Sequence, residues 1–228
     1  LIEAHGEKMT LELPDLERPF DHENAFYLSS DVSRLGKLLV HYELYRRTAN
    51  LAGAIVECGV FKGLSLIRFA TFRQLCGANG AKRIIGFDMF GPFPKTAWVD
   101  DVGPREKFIQ DAGSESIGRD QLIEILARKG VGENVELVEG DIRDTLPAYL
   151  DAHPELAVSL LNLDTDVYEP ATTILEALWP RVVPGGIALL DDFGVFPGET
   201  KAVREFFANT DVKFEQLSLN ATPTFVVK

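Results

Sequence analysis

Ala54-Ile55-Val56-Glu57-Cys58-Gly59-Val60-Phe61-Lys62-Gly63 is an apolar run that closes on two glycines and passes straight into a helix-forming segment. This is the pattern of a buried parallel strand, a tight turn and a crossover helix. Runs at 83–88, 135–139, 158–163 and 186–190 are likewise rich in Val, Ile or Leu and mostly bare of charge. With 54–60 they predict five buried parallel strands. Helices are expected at 63–75, 120–129, 146–152, 171–179 and 199–208, with Gly or Pro near several ends. Strand-like runs at 212–219 and 222–227, split at Asn220-Ala221, predict an antiparallel terminal hairpin and so a seven-stranded sheet. The chain reads as α/β, with helices on both faces of a mostly parallel sheet.

Upstream, residues 1–30 are polar and Pro-interrupted, after which Leu35, Leu38, Leu39, Tyr42, Tyr45 and Leu51 recur at mostly helical spacing behind a cap at Ser30 or Asp31. Residues 1–50 are therefore expected to be an N-terminal helical extension and 51–228 the main domain. The segment 90–118 carries several Pro and Gly breaks, shows no clean period and follows a strand's carboxyl end, so a loop acting as an active-site lid is expected there.

The 228 residues suit one α/β domain with an appendage, and 46% hydrophobic with 25% charged residues is a globular composition. An excess of 12 negative charges makes nucleic acid a poor partner. No apolar stretch reaches the roughly 20 residues that cross a bilayer, so no membrane association is expected. The two cysteines, Cys58 and Cys76, suit a reducing, cytoplasmic setting. Residue 1 is Leu, which leaves a removed targeting segment open. Apolar surface on the early helix and the lid points to self-association, a homo-oligomer.

The strand ends carry the chemistry. A dinucleotide fingerprint would place glycines at 57, 59 and 62, where the chain has Glu57, Gly59 and Lys62. Glu57 would repel a pyrophosphate but could accept from an ammonium group, which suits a cationic ligand such as S-adenosylmethionine. An ordinary turn with a solvated Glu is the plainer alternative. Asp88, at the end of the second strand, is placed to grip ribose hydroxyls. Asp141 could accept from an adenine amino group while Ile142 covers the ring, and Asp144 reads as the cap of the following helix. The fourth and fifth strands end in Asp164-Thr165-Asp166 and Asp191-Asp192. If those strands are neighbours, carboxylates ~4 Å apart repel by about 4 kcal/mol per pair at an effective dielectric of 20, which calls for a cation. Oxygen-only ligands favour Mg²⁺. Both Asp191 and Asp192 can ligate only if the chain has already turned after the strand.

The conjunction of Ile55 to Gly63 with Gly86-Phe87-Asp88-Met89-Phe90, Gly140-Asp141, Thr145-Leu146-Pro147, Leu163-Asp164-Thr165-Asp166-Val167-Tyr168, Pro184-Gly185-Gly186 and Asp191-Asp192 resembles the macrocin O-methyltransferase family, over roughly residues 30–228. The resemblance implies a Rossmann-like class I methyltransferase fold and transfer of a methyl group from S-adenosylmethionine, with Mg²⁺, to a sugar hydroxyl of a nucleotide sugar or antibiotic glycoside. By it, Glu57, Gly59 and Gly63 line the methionine end, with Ser65 also on the cofactor. Asp88 would hold ribose, and Asp141 and Ile142 adenine. Asp164, Asp191 and Asp192 would hold the metal, Asp164 also touching the cofactor and taking the proton. Two positions depart from the pattern: Phe61 stands where many class I enzymes have glycine, and Thr165 where the family commonly has glycine.

A histidine base is the alternative. His153 enters the fourth strand from the wrong end and His41 reads as structural, whereas His5 and His22 are left open. Lys62, Lys95, Arg105 and Lys107 are the cations expected nearest a diphosphate. A catechol acceptor would use the same metal logic, and a nicotinamide-dependent sugar oxidoreductase would share the sheet.

Overall fold

A computed structural model describes residues 11–77 and 82–228. Two helices, α1 (Pro19–Ser29) and α2 (Val32–Thr48), precede β1 (Ala54–Cys58), α3 (Leu64–Leu75), β2 (Ile84–Asp88), α4 (Val99–Ala112) and α5 (Arg119–Arg128). The chain continues through β3 (Val135–Glu139), α6 (Ile142–Ala152), β4 (Val158–Leu163), α7 (Tyr168–Leu178), β5 (Val182–Leu190), α8 (Pro197–Phe207) and β6 (Thr224–Val227). The sheet order is β3-β2-β1-β4-β5-β6, parallel except for β6, which runs antiparallel to β5. The order reverses between β1 and β4, the switch point beside which open α/β sheets bind ligands. No helix among the described residues is long and apolar enough to cross a membrane.

Alternation along the strands divides the core. Ala54, Val56 and Cys58 of β1 pack with residues of α6, α7 and α8, whereas Ile55 faces residues of α2, α3 and α5. Asp31 caps α2, accepting from Ser33 N at 2.8 Å, and the helix buries Val40, Leu44 and Tyr45 against the sheet.

Three expectations change. The sheet has six strands, not seven, because residues 212–219 reach β6 only at Glu215, whose N–H and C=O both bond Phe225 at 2.9 Å. Lys213, Phe214, Glu215 and Gln216 in that run are exposed, so little apolar burial supports a longer ladder. The polar segment before Asp31 contains a helix, α1, with no buried residue.

The segment 90–118 is not an irregular loop, since α4 occupies its middle. Gly103 and Pro104 lower the intrinsic helix propensity, and tertiary contacts override it. Phe108 meets Phe61, Phe93 and Phe196, with ring centroids 5.4, 5.5 and 6.0 Å apart. Asp101, fully buried in the first turn of α4, accepts from Tyr168 N at 2.9 Å and from Gly198 N at 2.8 Å. Neither α7 nor α8 has a side-chain cap of its own, so one carboxylate satisfies orphan N–H groups of both. Gly198 is obligatory here, because a Cβ would lie 2.0 Å from Asp101 Oδ2. Asp101→Ala should lower stability by about 1–3 kcal/mol, the cost of leaving buried donors unpaired, as read from urea unfolding. Glu106→Ala, exposed on the same helix, should leave the midpoint unchanged; equal effects would remove the double cap from the account.

Candidate functional site

The register of the sheet aligns the strand ends. Cys58 pairs with Phe87 and Leu163, Asp88 with Glu139, and Leu163 with Leu190. Asp164 and Asp191 are each the next residue after the Leu163–Leu190 pair, and Asp191 N donates to Leu163 O at 2.9 Å. The chain turns directly after Leu190, so Asp191 and Asp192 escape strand alternation. Asp164, Asp191 and Asp192 each offer a carboxylate oxygen, all within 4.8 Å of one another.

Further carboxylates converge on the same edge. Glu57, Asp166 and Glu199 are buried. Glu57 Oε1 accepts from Ser65 Oγ at 2.7 Å, and Glu199 Oε1 from Asp192 N at 2.9 Å. Burial first, then the neighbouring carboxylates, pushes Asp164 and Glu199 well above the usual carboxylate range. Asp192 is raised by the same causes. Glu57 is raised to about 8, chiefly by burial. Burial also opposes the charge on Asp191, but His41 and Lys37 outweigh it and hold that carboxyl below its ordinary value. Lys37 Nζ donates to Asp191 Oδ2, and His41 Nε2 lies 3.8 Å from Asp191 Oδ1.

Several buried polar atoms here lack a hydrogen-bond partner: Glu57 Oε2, Asp191 Oδ1, Asp192 Oδ2, Glu199 Oε2 and both side-chain atoms of Asn162, which pairs in register with Glu57. Orphaned carboxylate oxygens at one edge, with no thiolate or imidazole nitrogen bonded among them, fit a hard divalent cation.

Two clefts open on this edge. One, of about 640 Å³, runs across the ends of β1 to β4 and is lined by Gly59, Asp88, Asp141, Ile142 and Thr165 among others. The other, of about 1060 Å³, lies between α2, α3 and the acidic cluster, and Ser65 lines it. Phe61, Asp164 and Asp166 border both. Phe61 adopts φ +47°, so the turn accommodates it in a left-handed conformation with its ring toward Phe108.

The expected residues fall unequally. Gly59 is demanded by a close approach, since a Cβ would lie 1.7 Å from Asp164 O. Gly63 borders neither cleft and answers to packing, a Cβ there lying 2.9 Å from Leu122 Cδ1 at φ +80°. Asp88 is occupied by the protein: Oδ2 accepts from Val60 N and Phe61 N, both at 2.9 Å, and Oδ1 from Phe90 N and Ser116 Oγ, both at 2.7 Å. The helix after β3 starts at Ile142, so Asp141 rather than Asp144 is its cap, accepting from Arg143 N at 2.9 Å. Arg143 also grips the Asp141 side chain and holds its carboxyl below the ordinary value. Glu57 is buried, not solvated.

Of the four cations expected near a diphosphate, Lys62 alone borders the larger cleft, and it donates to Ala112 O at 2.5 Å. Lys95 borders the smaller cleft, Arg105 donates to Phe93 and Pro94 carbonyls, and exposed Lys107 pairs with Asp111. His22 is exposed on α1, His153 packs against Tyr149 with ring centroids 4.3 Å apart, and His5 lies outside the described residues. Lys37, His41, Arg34 and Arg68 were not anticipated at the site. Lys37 and His41 are four apart beside the apolar positions of α2, the one signal that they face inward.

Over 147 residues, 63% of its length, the chain is 31% identical to 8-demethyl-8-(2,3-dimethoxy-alpha-L-rhamnosyl)-tetracenomycin-C 4'-O-methyltransferase of Streptomyces olivaceus, and spans 54% of that relative. CalS11, a calicheamicin methyltransferase, is similar with TM-score 0.78 and 30% identity, over 93% of this chain and 87% of that one. An apo structure of CalS11, described as a TDP-rhamnose 3'-O-methyltransferase, gives TM-score 0.68 and 27% identity over 92% and 86%. The model of the macrocin-O-methyltransferase (TylF) family matches residues 33–227, from α2 to the last strand, and the chain belongs to that family.

Proposed function

We propose that this protein transfers a methyl group from S-adenosylmethionine to a sugar hydroxyl, with a divalent cation, Mg²⁺ by its donor set, at Asp164, Asp191 and Asp192. The observation that carries the reading is that the two clefts meet at Asp164, which also belongs to the acidic triad. Donor and acceptor can approach each other where Phe61, Asp164 and Asp166 border both clefts, and Asp164 is the member of that set that belongs to the triad. The relatives described as sugar O-methyltransferases support the acceptor class.

The smaller cleft suits an adenosyl donor. Ile142 offers an apolar surface to a base and Asp141 an acceptor, while ribose hydroxyls would share Asp88 Oδ1 with Ser116. Glu57 and Ser65 supply the polar end for the amino acid part of the donor. A nicotinamide dinucleotide fits worse, because Asp88 already takes the Val60 and Phe61 amides that would cradle a pyrophosphate.

Bound at the triad, the cation would orient the acceptor oxygen and stabilise negative charge developing on it. Asp164 accepts the hydroxyl proton as the oxygen–methyl bond forms and the sulfonium–methyl bond breaks, leaving a neutral thioether. Burial raises the basicity of Asp164 and so suits it to a weakly acidic hydroxyl. α4, held over the turn by Phe108 on Phe61 and Phe196, helps exclude water from the junction.

Asp164→Asn should reduce turnover by about 10²–10⁴-fold, the usual contribution of a general base, while calorimetry shows S-adenosylhomocysteine binding nearly intact. Undiminished turnover would take Asp164 out of the mechanism. A second outcome concerns pH. Glu57 titrates at about 8 when folded against an ordinary 4.5, so the folded state holds more protons than the unfolded one through that window and stability falls as pH rises. In EDTA the thermal midpoint should therefore drop between about pH 5 and about pH 8, and Mg²⁺ should raise it more at the higher pH. A midpoint indifferent to Mg²⁺ at both values would argue against a cation site.

A further inference from the structure

Arg34, in the first turn of α2, and Arg68, on α3, border the larger cleft on the side facing the acidic cluster. The protein carries 35 acidic against 23 basic residues, and many of its arginines have found carboxylates, as Arg83 with Glu136 and Arg143 with Asp141. Among the described residues, the guanidiniums of Arg34 and Arg68 have neither an ion pair nor a hydrogen bond, although Arg68 is half-buried. Burial, then repulsion by Arg34, lowers the affinity of Arg68 for its proton. Arg68 feels the field of Asp191, Glu57 and Asp164 without touching them. A cation at the triad would cancel much of that field and leave two unpaired guanidiniums lining the larger cleft.

We infer that Arg34 and Arg68 clamp the diphosphate of a nucleoside diphosphate sugar, so that the acceptor is a nucleotide-linked sugar rather than a glycoside of a neutral aglycone. The inference rests on the proposed function and names its substrate class. Planar guanidiniums match phosphate oxygens bidentately, which a pair of lysines would not do. The cleft that Asp164 borders is lined on its α2 and α3 side by Arg34 and Arg68, within the same cavity as the proposed base. Lys62 stands at the same cleft, where it donates to the Ala112 carbonyl, lies over the Phe61 ring and has no ion pair among the described residues. An uncharged polyketide aglycone would leave half-buried Arg68 without a partner, which is costly, and exposed Arg34 with water alone.

The probes are dTDP and UDP, each compared with its nucleoside, titrated into the full chain in Mg²⁺ with saturating S-adenosylhomocysteine. The diphosphates should bind at least about tenfold more tightly than the nucleosides, a margin consistent with charge-assisted hydrogen bonds. Arg34→Gln and Arg68→Gln should each erase most of that margin and Arg68→Lys only part, with S-adenosylhomocysteine affinity unchanged in all three. Three results would overturn the inference: equal affinity for nucleoside and diphosphate; a margin that survives the double Gln variant, which assigns it to the metal; or loss of S-adenosylhomocysteine binding in Arg68→Gln, which assigns Arg68 to the donor's carboxylate. Failure of the wild-type chain to bind S-adenosylhomocysteine at all would strike the proposed function itself. Loss of the margin with that ligand bound strikes only the clamp.

Discussion

Mutual repulsion among carboxylates at the carboxyl edge of the sheet is the constraint around which the rest is arranged. Register brings Asp164 beside Asp191, and the turn after β5 adds Asp192. Glu57, Asp166 and Glu199 lie buried in the same region. At an effective dielectric of 20, each pair at ~4 Å costs about 4 kcal/mol when both members are charged. The protein answers with Lys37, donated by α2 to Asp191, while burial and mutual repulsion push the deeper carboxyls above their ordinary range. One lysine cannot neutralise six acids, and the orphaned oxygens of Asp191, Asp192 and Glu199 mark the shortfall. A divalent cation is the economical physical solution.

The same edge is shaped from outside by α4. Asp101 ties the start of this helix to the amino ends of α7 and α8, and Lys62 binds its last carbonyl. Between these anchors Phe108 presses on Phe61, the side chain that borders both clefts. The helix that covers the site is thereby coupled to the turn after β1. The Asp101 carboxylate caps two helices, whereas several of those at the strand ends keep an unpartnered oxygen, and their hydrogen-bond partners tell them apart.

Much of the architecture was legible because parallel strands buried on both faces leave continuous apolar runs that few other structures produce. β1 to β4 appear within two residues of their expected bounds, and the acidic strand ends were recognisable as a set. The terminal hairpin was overcalled, since alternation in 212–219 carries no information about whether a partner edge is available. α4 was missed for the opposite reason: its sequence is a poor helix, and much of its support comes from residues as far as 97 positions away.

The sequence by itself determined the α/β class, the strands whose ends bear Glu57, Asp88, Asp164 and Asp191, and the family to which the chain belongs, because burial pattern and local turn chemistry are written in consecutive residues. Only the tertiary structure decided that Asp88 is consumed by backbone amides, that Asp141 is held by Arg143, and that Lys37, Arg34 and Arg68 face the acidic cluster. The placement of Lys37, Arg34 and Arg68 depends on how α2 and α3 pack across the sheet, and the Coulomb and hydrogen-bond terms that matter fall off over a few ångströms that sequence separation does not measure.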